Sequence, residues 1–189
     1  VLDELGGKLR TRALSGRADL RMHAPAGARA TSSYEGDLAL RLGDSNVQAK
    51  GRIAQDLDVD ANFQPLQLAD FLPAAGGTLH GTLRLRGARA APDIDVDLAG
   101  AQLKYGQWSA GTLQARGRLP WRRGGKPGEL HVEGSALALG LPFDTLRMDA
   151  RGAFEQLDLD AQAAGARGAL SLRGQLGRRG EEWSGTLAA

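Results

Sequence analysis

The side chains able to do chemistry are few and scattered. Histidines stand at His23, His80 and His131, and none has a Glu or Asp at a metal-ligand or general-base spacing. Metal ligation and acid–base catalysis both need several groups converging on one point, so these positions read as surface residues. Carboxylates occur two apart, as Asp58 with Asp60 and as Asp93, Asp95 and Asp97. A glycosidase pair would face each other across a cleft, about 5–10 Å apart. Acids at a spacing of two instead share one face of a strand and keep that face in water. Gly124-Gly125-Lys126 lacks the Ser or Thr that completes a phosphate loop and reads as a hairpin tip. No nucleophile elbow or dinucleotide fingerprint occurs. There is no cysteine, which removes thiolate metal sites and disulfides. The expectation is a protein that is not an enzyme and that carries no metal or cofactor.

One basic cluster surrounds Trp121, formed by Arg116, Arg118, Arg122, Arg123 and Lys126. Nucleic-acid folds pair such charge with aromatic stacking platforms, and aromatics are only 5% of this chain. A solvated hairpin is the simpler reading, with contact to anionic headgroups as the sharper one. The net charge of +2, against a pI near 9.3, is too balanced for a dedicated polyanion binder.

The elements that must position all of this are strands. Leu38, Leu40 and Leu42 alternate with Ala39 and Arg41; Leu57, Val59, Ala61 and Phe63 alternate with Asp58, Asp60 and Asn62. The same period of two runs from Val47 to Ile53, from Leu79 to Leu85 and from Ile94 to Leu98. It continues through Leu113, Leu130, Leu137, Leu146, Leu157 and Leu170. Each run therefore has one apolar and one charged face, the sign of a half-buried sheet. Gly43, Gly51, Gly87, Gly100, Gly117, Gly134, Gly152 and Gly174 close runs and are expected at the corners. The segment Pro65–Pro73 interrupts the alternation, and Leu68, Phe71 and Leu72 suit a short helical connector near 66–72.

A single repetitive all-β unit over 1–189 is expected. Its strands are less regular over 1–32, form a strand–turn–strand unit over 33–64, pause at a connector over 65–76 and resume over 77–189. The chain opens at Val1 without an initiator Met and stops while Trp183 and Leu187 still alternate, so it reads as a section of a longer protein. No apolar run approaches the ~20 residues of a spanning helix, and no signal peptide is present.

The apolar face is aliphatic, with Phe63, Tyr105, Trp108 and Phe143 at intervals. A second sheet could pack on it as a sandwich. Alternatively the sheet curls into a trough lined for a lipid chain. The expected lining is Leu38, Leu40, Leu42, Val47, Ile53, Leu57, Val59, Phe63, Leu79, Leu83, Leu85, Ile94, Val96, Leu98, Tyr105, Leu113, Val132, Leu146, Met148, Leu157, Leu159, Leu170 and Leu172. A transmembrane barrel is excluded, because strands such as Asp93–Leu98 would present acids to lipid or to a lumen without aromatic girdles. Strand edges at the two ends could pair with a second copy.

The stretch Leu40-Arg41-Leu42-Gly43-Asp44-Ser45-Asn46-Val47-Gln48-Ala49-Lys50-Gly51-Arg52-Ile53 resembles the strand–turn–strand unit of TamB-like proteins, AsmA-related periplasmic proteins of Gram-negative bacteria. The elements that follow keep that family's order. They are an aspartate-rich strand to Phe63, the Leu66–Pro73 connector, Gly77–Gly87, Ala91–Val96, and Leu103-Lys104-Tyr105-Gly106. The likeness is carried by residues 33–120. It implies a β-taco, a long curled and mostly antiparallel sheet with a hydrophobic groove. It also implies an inner-membrane anchor, a C-terminal contact with the outer-membrane barrel TamA, and roles in phospholipid movement and outer-membrane protein assembly. This chain resembles an interior section. The alternative is a closed β-sandwich spacer, or a chaperone-like scaffold for outer-membrane proteins, without lipid conduction.

Overall fold

A computed structural model describes residues 2–23, 32–89, 91–119, 126–138, 140–153, 155–179 and 182–188. Among these, thirteen strands follow one another: β1 (Leu2–Leu9), β2 (Arg12–His23), β3 (Ser33–Leu42), β4 (Ser45–Ile53) and β5 (Asp56–Gln67). A four-residue helix, α1 (Leu68–Phe71), precedes β6 (Ala75–Ala88), β7 (Asp93–Tyr105), β8 (Trp108–Leu119) and β9 (Gly128–Ala138). The chain ends with β10 (Pro142–Ala153), β11 (Gln156–Gly165), β12 (Gly168–Arg179) and β13 (Glu182–Ala188). The strands form a single antiparallel meander in strict sequence order, and β1 and β13 are its edges. The expected all-β curled sheet and its short helix near 66–72 are what the chain forms.

The outer face explains why the order is so simple. From β3 to β12, acidic and basic strands alternate. Asp58 and Asp60 on β5 lie opposite Arg86 and Arg84 on β6, which lie opposite Asp93 and Asp95 on β7. Asp95 and Asp97 then face Arg118 and Arg116 on β8. Arg86 reaches Asp60 at 2.8 Å and Asp58 at 3.1 Å, and Arg116 reaches Asp97 at 2.9 Å. Farther along, Arg151 holds Glu129 at 2.7 Å and Arg173 holds Asp160 at 2.9 Å. Exposed pairs of this kind stabilise by only about 0.2–1 kcal/mol each. Their larger effect is on register, since a slip of one residue would turn every charge inward.

His131 departs from the sequence expectation. Its Nδ1 lies 2.8 Å from Asp149 on β10 and its Nε2 lies 3.0 Å from Glu133, two residues ahead on its own strand. The spacing of two is uninformative in a helix but places both groups side by side on a strand face. The hydrogen bonds to Asp149 and then Glu133 raise the imidazole pKa above its ordinary 6.5, and the His131 contact lowers Asp149 below 3.8. The imidazolium therefore adds stability in full below pH 6.5, and this is lost as pH rises through the raised value. The Asp149 contribution is present above 3.8 and is lost as pH falls through its depressed value. Thermal melts from pH 5.5 to 8.5 should show a fall in melting temperature toward the alkaline end, and His131→Gln should abolish that slope.

Glycine behaves differently from expectation. Of the eight expected at corners, only Gly43 lies in a turn; the others sit within β4, β6, β7, β8, β9, β10 and β12. At Gly51 and Gly117 the reason is steric. A Cβ on Gly51 would stand 1.9 Å from the Asp58 carbonyl oxygen, and one on Gly117 would stand 2.0 Å from that of Glu129. At these points the neighbouring backbone comes too close for any side chain, and φ is +148° and +137° respectively.

Candidate functional site

Cross-strand register places all the expected lining residues on one face. Leu83 on β6 stands opposite Ala61 on β5 and Val96 on β7. Leu57, Val59 and Phe63 continue through Ile53, Gly51 and Val47 to Tyr34, Gly36 and Leu40. In the other direction Val132 meets Met148, Met148 meets Ala161, and Ala161 meets Leu172. The apolar face thus runs from β2 to β12 without a break.

Burial identifies this face as the inside of the curl. All the buried hydrophobic ones among the described residues (Ala18, Leu42, Ala75, Ala110, Leu137, Ala150 and Ala163) belong to it. Among the described residues no second sheet lies over it, and substantial strand contacts run only between sequence neighbours. Most of the lining, including Leu57, Val59, Leu83, Val96 and Leu159, is accordingly half-buried. The geometry is that of an open trough. On the opposite face the long charged side chains enclose open concavities, one of them about 720 Å³ and bounded by Arg17, Asp37, Lys50, Asp60 and Arg84.

One row of the trough breaks the alternation of its strands. Gln102 and Ala136 have φ of +51° and +50°, and the register sets both opposite Gly111. The pairing of β6 with β7 also slips between Gly76 and Thr78, where a Cβ on Gly77 would meet the Gln102 oxygen at 2.4 Å. A left-handed residue breaks the alternation of a strand and bends it. As a result Leu103 leans over Gly100 and Leu137 lies beside Gly134, each three residues away yet on the same face. This row brings Leu103, Ala110 and Leu137 onto the apolar side, together with Phe143, which pairs with Leu137. It also sets Tyr105 and Trp108, a cross-strand pair, at the lip of the trough, where both are more than half exposed. The signal was present as odd gaps between apolar residues, five from Leu98 to Leu103 and five from Val132 to Leu137.

The sequence matches the family described as TamB, N-terminal domain, over residues 2–189. The chain belongs to the TamB N-terminal domain family. The match extends on both sides of the 33–120 stretch that carries the sequence resemblance. No solved structure gives a significant match.

The remaining candidate positions are quickly placed. Among the described residues, no three His, Asp or Glu side chains are grouped as a metal site would require. No helix among them is long and apolar enough to cross a membrane. In the basic cluster, Arg116 and Arg118 are paired with Asp97 and Asp93, at 2.9 and 3.1 Å. Trp121, Arg122, Arg123 and the Gly124-Gly125 tip lie outside the described residues.

Proposed function

We propose that this chain is a section of a periplasm-spanning protein of outer-membrane biogenesis in a Gram-negative bacterium. Its apolar trough shields phospholipid acyl chains between the inner and outer membranes, and the same protein assists outer-membrane protein assembly. In the parent, an inner-membrane anchor and a C-terminal contact with the barrel TamA hold the conduit in place. The chain works without catalysis or cofactor, by passive shielding, while headgroups ride at the open edge.

One observation supports this reading above the others: a continuous apolar face with no second sheet upon it among the described residues. From β2 to β12, ten strand spacings make it about 48 Å long, well beyond the apolar patch a soluble monomer normally leaves bare. An acyl chain of about sixteen methylenes gains ~13 kcal/mol on leaving water, so the face has an energetically sufficient occupant. A sandwich spacer would bury the face against protein instead.

The test is native mass spectrometry with lipid extraction on the chain purified from bacterial cells under mild conditions. Co-purifying phospholipid is the expected result. A folded, lipid-free monomer would overturn the acyl-chain reading and favour a scaffold that guides outer-membrane strands by edge pairing.

A further inference from the structure

Among the described residues, the most completely buried place is polar at its centre and lies at one end of the trough. Leu42 and Ser45 are both 0% exposed and Asp70 is 2% exposed. Leu42 and Ser45 face each other across the β3–β4 hairpin, on the apolar side, and Arg12 shares that side two residues before Leu14. Asp70 belongs to α1, which joins β5 to β6, packs against β6 and brings this carboxylate to the β3–β4 hairpin. There the Ser45 hydroxyl donates to its carboxylate at 2.7 Å, and Arg12 Nε lies 3.4 Å away. The Gln67 N–H donates to the same Ser45 oxygen at 2.9 Å, and Arg10 donates to the Phe71 carbonyl at 3.0 Å.

We propose that residues 67–74 form a movable roof over the β2–β5 end of the apolar trough, with Asp70 as its latch. The segment has the makings of a separable piece. Its helix is only four residues long and has no side-chain cap. Ala69, Leu72, Pro73 and Ala74 are exposed, and beyond α1 the segment is tied to the rest of the sheet by the Gly106 N–H, which donates to the Ala74 carbonyl at 3.3 Å. The side-chain contacts that tie it to β2 and β4 converge on one carboxylate and on the hydroxyl that carboxylate accepts from. A buried carboxylate with two partners is held firmly while both remain and is costly to keep when either leaves. Asp70 is thus the main side-chain latch of the roof, with the Arg10 bond to the Phe71 carbonyl as a second tie and the packing of α1 on β6 as its hinge side. Resting on the acyl-path reading above, the closed roof would stop a chain short of β2–β4 on this side, and its opening would lengthen the path.

The chain contains no cysteine, so a single one reports on the roof without interference. Leu42→Cys places a thiol at a fully buried position opposite Ser45, the residue that bonds to Asp70, and Ala150→Cys places one on the same face at a site that is 3% exposed, on β10. In the whole chain, maleimide should label position 42 slowly. Asp70→Asn should speed that labelling at least tenfold while leaving position 150 unchanged. Arg12→Gln, which removes a half-exposed partner, is the milder second variant and should give a smaller rise in the same direction. Fast labelling of position 42 with the latch intact would overturn the roof, and no response to either variant would overturn the latch. If both variants raised labelling at both positions, α1 would be an integral part of the sheet's stability and the proposal would fail. Lipid plays no part in this measurement, so the roof and the acyl path stand or fall separately.

Discussion

Leu83→Asp is expected to lower the phospholipid recovered with the chain at least tenfold while leaving it folded. Leu83 sits at the middle of the apolar face, between Ala61 and Val96, and far from either edge strand. With the trough empty, an Asp at this place can still reach water, because the position is only half-buried and no second sheet covers it. With an acyl chain laid across it, the carboxylate loses that water and gains no partner, a cost of several kcal/mol. Each ~1.4 kcal/mol weakens binding tenfold, so even a fraction of that penalty is measurable. Val96→Asp should act alike, and Gln48→Asp, on the outer face, should leave the lipid content unchanged. The measurement is lipid per mole of folded protein, with far-ultraviolet circular dichroism and melting temperature as controls. Folded Leu83→Asp and Val96→Asp chains that keep their full lipid complement would sink the trough as an acyl path.

The contrast between these positions also shows how much of the molecule the sequence makes legible. Period-two alternation locates the strands and assigns Leu83 and Val96 to the same side, because a strand offers only two faces. The alternating signs of Asp58 and Asp60, Arg84 and Arg86, and Asp93, Asp95 and Asp97 already contain the meander, since each strand's charges are answered by the next. What alternation does not contain is where it stops. Gln102 and Ala136 adopt left-handed conformations that neither residue type favours, and only the odd spacing of the flanking leucines hints at them. Contacts that join distant segments are less legible still. Ser45 and Asp70 are 25 residues apart, at the start of β4 and in α1, and nothing in either local pattern requires them to meet. His131 with Glu133 is intermediate. Their spacing is plain, but its meaning depends on knowing that the segment is a strand and that Asp149 lies opposite.

The glycines are the instructive misreading, because the same residue serves two physical ends. At a corner, glycine is used for its backbone freedom; within these strands it is used for its missing side chain. Gly117 pairs with Val96 on one side and Leu130 on the other, on the inside of the curl, where adjacent backbones come close. A methyl group there would meet the Glu129 oxygen at 2.0 Å and the Leu130 Cα at 2.8 Å, both backbone atoms that cannot swing away. Gly117→Ala should therefore combine an unfavourable φ with a forced separation of β8 from β9. The backbone strain alone costs about 1–3 kcal/mol, and for a chain of this size each kcal/mol lowers the melting temperature by roughly 2–4 °C. Gly51→Ala, with its Asp58 oxygen at 1.9 Å, should be equally severe. Gly106→Ala separates the two causes, for its φ is +58° but nothing lies within 4 Å of the new methyl. That variant should lose about 1–2 kcal/mol, the cost of a left-handed conformation by itself. If Gly117→Ala melts no lower than Gly106→Ala, close approach of the backbones is not what these positions require, and the curl must come from the bent row at Gln102 and Ala136 instead.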